Sequence, residues 1–168
     1  MSFIGIITGQ KNSVYAKNMI EKNLKNKNVT VIVINDKNIE NVRNIKFETI
    51  IMTEEIKKEE YLKKILRNTK YLIINADMRY NVSILKDIEI VAISYGFNHK
   101  STVTISSIEE DNILVCIQRN MLDINGHLIE FQELSIKTES KDKNFKIDIT
   151  MGLIIAILIY GQRNIIIF

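Results

Sequence analysis

The stretch Phe3 to Leu24, FIGIITGQKNSVYAKNMIEKNL, constrains the fold more than any other. It opens on an apolar run, Phe3-Ile4-Gly5-Ile6-Ile7, followed by Thr8-Gly9. A run of this length, rich in β-branched residues and closed by a glycine, predicts a strand buried on both faces. A polar turn follows, Gln10-Lys11-Asn12-Ser13. Val14, Ala16, Met19, Ile20 and Leu24 then recur at helical spacing, with Lys17, Asn18, Glu21 and Lys22 between them. The side-chain oxygen of Asn12 or Ser13 is placed to cap that helix, by accepting a free backbone N–H of its first turn. Buried strand, glycine-bearing turn and helix amino terminus form the succession that holds phosphate in many α/β proteins.

An intact phosphate loop reads G-x-x-x-x-G-K-[ST]. Its glycines allow close backbone approach, its Lys meets the phosphate charge and its hydroxyl binds Mg²⁺. Here the turn after Gly9 has no second glycine. Counting from Thr8-Gly9, Ser13 stands at the Lys position and Val14 at the hydroxyl position, while Lys11 is close but out of register. An ordinary βα turn is the expectation, and a retained phosphate site is its competitor.

The same strand character returns along the chain. Asn28–Asn35 and Phe47–Thr53 predict a second and a third strand. Glu54–Asn68 predicts a helix with Ile56, Leu62, Ile65 and Leu66 inward and its Glu residues crowding the amino end, where the helix dipole favours them. Its Lys residues alternate with Glu, which predicts a solvated, salt-bridged face and not a nucleic-acid patch. Tyr71–Asp77 predicts a fourth strand that ends, like the first, in small polar residues. Ile88–Tyr95, closed by Gly96, predicts a fifth. The order β-α-β-β-α-β-β implies a mostly parallel sheet with helices on its faces.

After Gly96 the pattern changes to alternation. Ser101–Ile108, Asn112–Gln118 and His127–Thr138 predict antiparallel strands, with Asn125-Gly126 as a hairpin turn whose two positions tolerate positive φ. Glu139–Asn144 predicts a polar loop and Phe145–Asp148 a strand end. Ile149–Tyr160 predicts an apolar helix, and Ile165–Phe168 a last strand or a severed link. The expected fold is one three-layer α/β domain over residues 1–168. A mostly parallel sheet carries flanking helices and a C-terminal antiparallel extension at roughly 101–138.

Composition narrows the function classes. Among 168 residues, 46% are apolar and 26% charged, the globular range, with neither Pro nor Trp. A net charge of +3 is too small to imply nucleic acid as a partner. The single Cys116, inside NILVCIQ, excludes an internal disulfide and reads as a buried thiol. Two His and one Cys, scattered, make no metal site. The apolar stretch Met151–Tyr160 is too short to cross a membrane, so a buried helix is expected. Met1-Ser2 leads straight into the first strand without a basic region, which sets the expectation of a cytoplasmic protein.

The order of these pieces resembles the central, ATP-binding domain of the Mur ligases, which join an amino acid or peptide to a carboxylate. That family opens with a strand and T-G-[TS]-[NK]-G-K-[ST], matched here by Ile6-Ile7-Thr8-Gly9-Gln10-Lys11-Asn12-Ser13-Val14. Its N-x-D-D strand end is matched in part by Asn75-Ala76-Asp77, with Met78 at the second Asp. Its aromatic-Gly strand end is matched by Ala92-Ile93-Ser94-Tyr95-Gly96, its hairpin glycine by Gly126, and its closing apolar helix by Met151–Gly161. The resemblance implies a P-loop-type fold and ATP with Mg²⁺ as the candidate cofactors. It implies cofactor-binding positions at Thr8, Gly9, Gln10, Lys11, Asn12, Ser13, Asn75 and Asp77. Segments resembling the family's Glu-Ser-Ser or Asp-His are missing between Thr53 and Tyr71, and the chain ends where the family's amino-acid-binding domain would begin.

Three functions follow. The first is a non-catalytic remnant of a Mur-ligase-like domain that binds a small molecule or a protein partner, with no nucleic acid or membrane and with homo-oligomerisation open. The second is a nucleotide-binding enzyme or ATP-dependent ligase with a divergent phosphate loop. The third is a Rossmann-like nucleotide binder, disfavoured because G-x-G-x-x-G is absent. Asp77, His99 and His127 are the titratable residues an active site could gather.

Overall fold

The computed structural model describes residues 1–78, 82–138 and 147–167. Five parallel strands come first: β1 (Ser2–Ile7), β2 (Val29–Ile34), β3 (Thr49–Met52), β4 (Tyr71–Asn75) and β5 (Val91–Tyr95). Helices α1 (Ser13–Asn23), α2 (Ile39–Val42) and α3 (Glu59–Leu66) connect the first four, and a 3-10 turn at Val82–Leu85 precedes β5. There follow β6 (Val103–Ile108), β7 (Asn112–Ile117), the short pair β8 (Met121–Leu122) and β9 (Leu128–Ile129), then β10 (Gln132–Thr138), α4 (Ile147–Ile159) and β11 (Ile166–Ile167). The main sheet runs β11-β10-β7-β6-β5-β4-β3-β1-β2.

The change of sequence pattern at Gly96 is a change of sheet type. β1 and β3 are continuous apolar runs because both of their faces are covered. β7 alternates because α4 covers one face: Ile113, Val115 and Ile117 are buried and Cys116 points the other way. Cys116 is therefore half-buried and free, which corrects the expectation of a core thiol. β7 pairs antiparallel with β6 and with β10. β5 and β6 share a single parallel pair, Tyr95 with Val103, so the two halves of the sheet meet at a narrow seam.

Two apolar cores lie on opposite faces of the sheet. One joins Ile4, Ile6, Ile51, Ile73 and Tyr95 to Ala16, Met19 and Ile20 of α1 and to nearly the whole of α4. The other joins Ile7, Ile34, Ile50 and Leu72 to Ile39 of α2 and to Leu62, Ile65 and Leu66 of α3. This is the three-layer arrangement expected. Helix α4 is buried all round, from Ile149 to Ile159, as a helix apolar on every side must be. Tyr160 follows it, donating to or accepting from Thr49 across 3.4 Å, and burial pushes its phenol up to about 12. Gly161 N–H to the Leu158 carbonyl and Gln162 N–H to the Ile157 carbonyl then close the helix in a Schellman motif. Among the described residues no helix is long and apolar enough to cross a membrane.

Several boundaries differ from the sequence reading. The helix expected from Glu54 begins only at Glu59. The Asp36 carboxylate accepts the backbone N–H groups of Lys57 and Lys58 at 3.0 and 3.3 Å, just ahead of the helix. Ile147 and Asp148 open α4 and do not end a strand; the rest of that expectation, the Glu139–Asn144 loop and Phe168 fall outside the described residues. His127–Thr138 divides in two, since β9 pairs with β8 in a separate hairpin.

The loop of that hairpin runs from Asp123 to His127, longer than a two-residue Asn-Gly turn. Gly126 takes the positive φ of 83° that the sequence suggested. Asp123, which is buried, closes the loop: its Oδ1 accepts from the backbone N–H groups of Asn125 and His127 at 2.8 and 2.9 Å, and its Oδ2 lies 3.1 Å from His127 Nδ1. Burial is the largest single influence on this carboxyl and pushes its pKa up. The bonds from His127 and Asn125 together outweigh it and hold the group below the usual range.

Candidate functional site

The five-strand order β2-β1-β3-β4-β5 reverses direction between β1 and β3. In doubly wound sheets the ligand crevice opens at such a reversal, outside the carboxyl ends of the strands. A crevice of about 240 Å³ lies there, lined by Ile7–Gln10 after β1, Asn35–Lys37 after β2 and Glu54–Ile56 after β3. Hydrogen bonds hold the three strand ends together. Thr8 N–H donates to the Ile34 carbonyl at 3.3 Å, and both the N–H and the hydroxyl of Thr53 donate to the Ile7 carbonyl at 3.0 Å.

Two polar side chains around the crevice are committed to the protein itself. The Asn35 side chain accepts from Lys37 N–H at 2.9 Å, and Asn35 N–H donates to Asn38 Oδ1 at 2.8 Å. Asp36 Oδ1 accepts the N–H groups of Lys57 and Lys58, as above. Thr8 and Glu54 stand closest to the Gly9 turn, and neither side chain has a partner among the described residues. Thr8 is 2% exposed and its Oγ1 has no hydrogen-bond partner. A buried hydroxyl left in that state costs about 1–3 kcal/mol. Glu54 presses its carboxylate onto Gly9: a Cβ added there would lie 2.6 Å from Oε1 and 2.7 Å from Oε2. Among the described residues that carboxylate makes neither a hydrogen bond nor an ion pair.

The candidate residues read from the sequence divide into three sets. Thr8, Gly9 and Gln10 line the crevice. Lys11, Asn12 and Ser13 form the turn into α1 beyond it. Lys11 is exposed, the Asn12 side chain makes no capping bond, and the Ser13 hydroxyl donates back to the Gln10 carbonyl at 2.8 Å. The capping expected of Asn12 or Ser13 is therefore not made, because the turn absorbs the Ser13 hydroxyl. Asn75 and Asp77 lie elsewhere. β4 does not neighbour β1, since β3 pairs with both and stands between them; the rim expected to unite Thr8–Ser13 with Asn75 and Asp77 is thus split.

Asn75 and Asp77 form a closed unit with the end of β5. Asp77 N–H donates to Asn75 Oδ1 at 2.9 Å, and Asp77 Oδ2 accepts from Phe97 N–H at 2.6 Å. Gly96, with φ of 150°, passes directly beneath the Asp77 carboxylate; a Cβ there would lie 2.5 Å from Oδ2. His99 and His127 are not gathered with Asp77: His127 pairs with Asp123 in its own hairpin. No three His, Cys, Asp or Glu among the described residues are grouped to hold a metal ion.

The sequence reading missed Asn35, Asp36, Lys37, Glu54, Glu55 and Ile56. All six directly follow the carboxyl ends of the second and third strands, so their strand-end position was legible. Their convergence with Thr8 and Gly9 depends on the strand order, which no local pattern encodes. No family model matches the chain, and no curated protein matches it.

Proposed function

We propose that this chain is a non-catalytic, Mur-ligase-like α/β module that binds a small ligand in the crevice at the ends of β1, β2 and β3. The observation that carries this reading is the Glu54 carboxylate seated on Gly9. A phosphate loop keeps that glycine turn clear so that phosphate oxygens can reach backbone N–H groups. Here a carboxylate stands over the turn, in a position to repel a polyphosphate. The Ser13 hydroxyl is spent on the Gln10 carbonyl, and Val14 is exposed where a Mg²⁺-binding hydroxyl is required. Phosphoryl transfer relies on positioning and on charge neutralisation by a Lys and a bound metal ion. Lys11, out of register and exposed, supplies neither. The crevice itself favours the reading of a binding module, since it stands at the sheet position where doubly wound proteins take their ligands.

The test is a Mg²⁺-ATP turnover assay on the purified chain, run beside calorimetry with and without Mg²⁺. The expected result is turnover at background. Turnover well above background that is lost when the Thr8–Ser13 turn is replaced would overturn the reading and restore a divergent active site.

A further inference from the structure

We infer that β2 is a dimerisation edge: two copies of this chain pair antiparallel along it, about a two-fold axis at Val31, and join their sheets. The inference concerns the outer edge of the sheet and is independent of the crevice and its ligand.

Among the described residues, β2 ends the main sheet, with β1 on one side and no strand on the other. Ser2 N–H donates to the Asn28 carbonyl at 3.0 Å and Thr8 N–H to the Ile34 carbonyl at 3.3 Å, so the even-numbered residues turn their backbone groups toward β1. Val29, Val31 and Val33 turn theirs outward, because these groups alternate in direction along a strand. Two of the outward groups are satisfied within the chain. Val29 N–H donates to the Lys27 carbonyl at 2.9 Å, and the Val33 carbonyl accepts from Asn38 Nδ2 at 2.9 Å. Val31 N–H, Val33 N–H and the carbonyls of Val29 and Val31 have no partner among the described residues.

This open set is its own complement. In an antiparallel ladder a hydrogen-bonded pair exchanges both N–H···O bonds. With the axis at Val31, that residue faces Val31 of the second copy and both bonds form. Val33 then faces Val29 of the second copy and donates to its carbonyl, once at each end. The remaining bond of each end pair would join Val29 N–H to the Val33 carbonyl, and those are the two groups the chain has already closed. A shift of two residues either way sets the Val31 carbonyl or the Val31 N–H against a closed group. The side chains agree with the backbone. β2 reads VTVIVI, without a charged residue, a proline or a bulge, the devices that protect sheet edges. Its β-branched residues would pair across the axis. The opposite edge of the sheet is closed: Asn23 Nδ2 donates to the Ile166 carbonyl and Ile166 N–H to Asn23 Oδ1, each at 3.0 Å. One open edge per chain gives a closed pair and not a growing assembly.

The experiment is sedimentation of the purified chain over a range of concentrations, paired with hydrogen exchange of its backbone amides. The expected result is a concentration-dependent species of twice the chain mass. In that species the Val31 and Val33 amides exchange about tenfold or more slowly than in the dilute chain, while the Val29 amide, bonded to Lys27 in both, is unchanged. Val33→Pro removes a donor that has no partner within the chain, at an edge position where proline is tolerated. It raises the dimer Kd by about tenfold or more. Thr30→Lys keeps every backbone donor and sets a charge on the edge, with an expected rise in Kd of about tenfold or more. Circular dichroism checks that both variants fold, and Thr30→Lys decides the matter if Val33→Pro does not. A chain that stays monomeric up to millimolar concentration, or a dimer that Thr30→Lys leaves intact, would overturn the inference. So would an assembly that grows past two copies, or Val31 and Val33 amides equally protected at every dilution.

Discussion

Two glycine turns at the carboxyl edge of the sheet carry the same decoration and differ in what it is attached to. Gly9, after β1, lies under the Glu54 carboxylate; Gly96, after β5, lies under that of Asp77. Asp77 is bound to the chain it covers, by the bond from Phe97 N–H, and its own N–H is bound to Asn75. Glu54 covers Gly9 without such a bond, beside a buried hydroxyl that also has no partner. One carboxylate belongs to the architecture. The other covers its turn with its hydrogen-bonding capacity unspent.

The largest expected effect comes from adding a methyl group to each turn. Gly96→Ala strains a backbone at φ 150° and drives the new Cβ into the Asp77 carboxylate. The expected loss is about 3 kcal/mol, from the strained conformation together with the displaced bond to Phe97. Gly9→Ala meets only the far end of the Glu54 side chain, which has room to swing toward solvent, and it changes stability by less than about 0.5 kcal/mol. Denaturant melts of both variants check the contrast; equal losses would break the comparison.

Asp123 extends the comparison to a third carboxylate, one committed to its own loop as Asp77 is. Asp123→Ala removes the acceptor of two backbone N–H groups and the partner of His127, for an expected loss of about 2 kcal/mol at neutral pH. The folded pKa is depressed, so the carboxylate's contribution is present above the unfolded value of about 3.9 and is lost as pH falls through the folded value. The gap between wild type and Asp123→Ala therefore narrows as pH is taken below about 4. A gap that stays constant into acid would show that the loop is held by packing and not by the ionised carboxylate.

The sequence made the layers legible and the site only in part, for a physical reason that these turns illustrate. Burial on both faces leaves a local trace, the continuous runs Phe3–Ile7 and Thr49–Met52. Burial on one face leaves alternation, as in Ile113, Val115 and Ile117. A strand's neighbour leaves none. Thr8 and Asn75 look alike in sequence, each a small polar residue after an Ile-rich strand, and both are buried. β3 lies between their strands, and their hydrogen bonds go to different places. The helix expected from Glu54 failed for a related cause: Asp36, distant in sequence, takes the N–H groups of Lys57 and Lys58 and delays the helix. That delay places Glu54 and Glu55 on the crevice and not in a first helical turn.

A smaller effect tests Asp77 directly. Asp77→Asn keeps the shape and replaces a charged acceptor of the Phe97 N–H with a neutral one. Because the side chain is exposed, the expected loss is about 1 kcal/mol. A fall in melting temperature of about 2–4 °C measures it.

Glu54→Gln is the smallest in stability and the sharpest in meaning. If the Glu54 carboxylate contributed to the fold, its removal would resemble Asp77→Asn. Its lack of partners among the described residues predicts otherwise: no bond is lost, and a charge standing unpaired in a half-buried crevice is removed. Stability is therefore expected to stay within about 0.5 kcal/mol of wild type or to rise slightly. The variant also relieves repulsion between this crevice and anions, so inorganic phosphate should perturb the Gly9 amide more in Glu54→Gln than in wild type. A thermal melt and a phosphate titration on the same sample read both quantities. A clear destabilisation would make Glu54 a structural carboxylate like Asp77 and collapse the difference between the two turns. An unchanged melt with a phosphate response keeps Glu54 as the charge that decides which ligands approach the ends of β1 and β3.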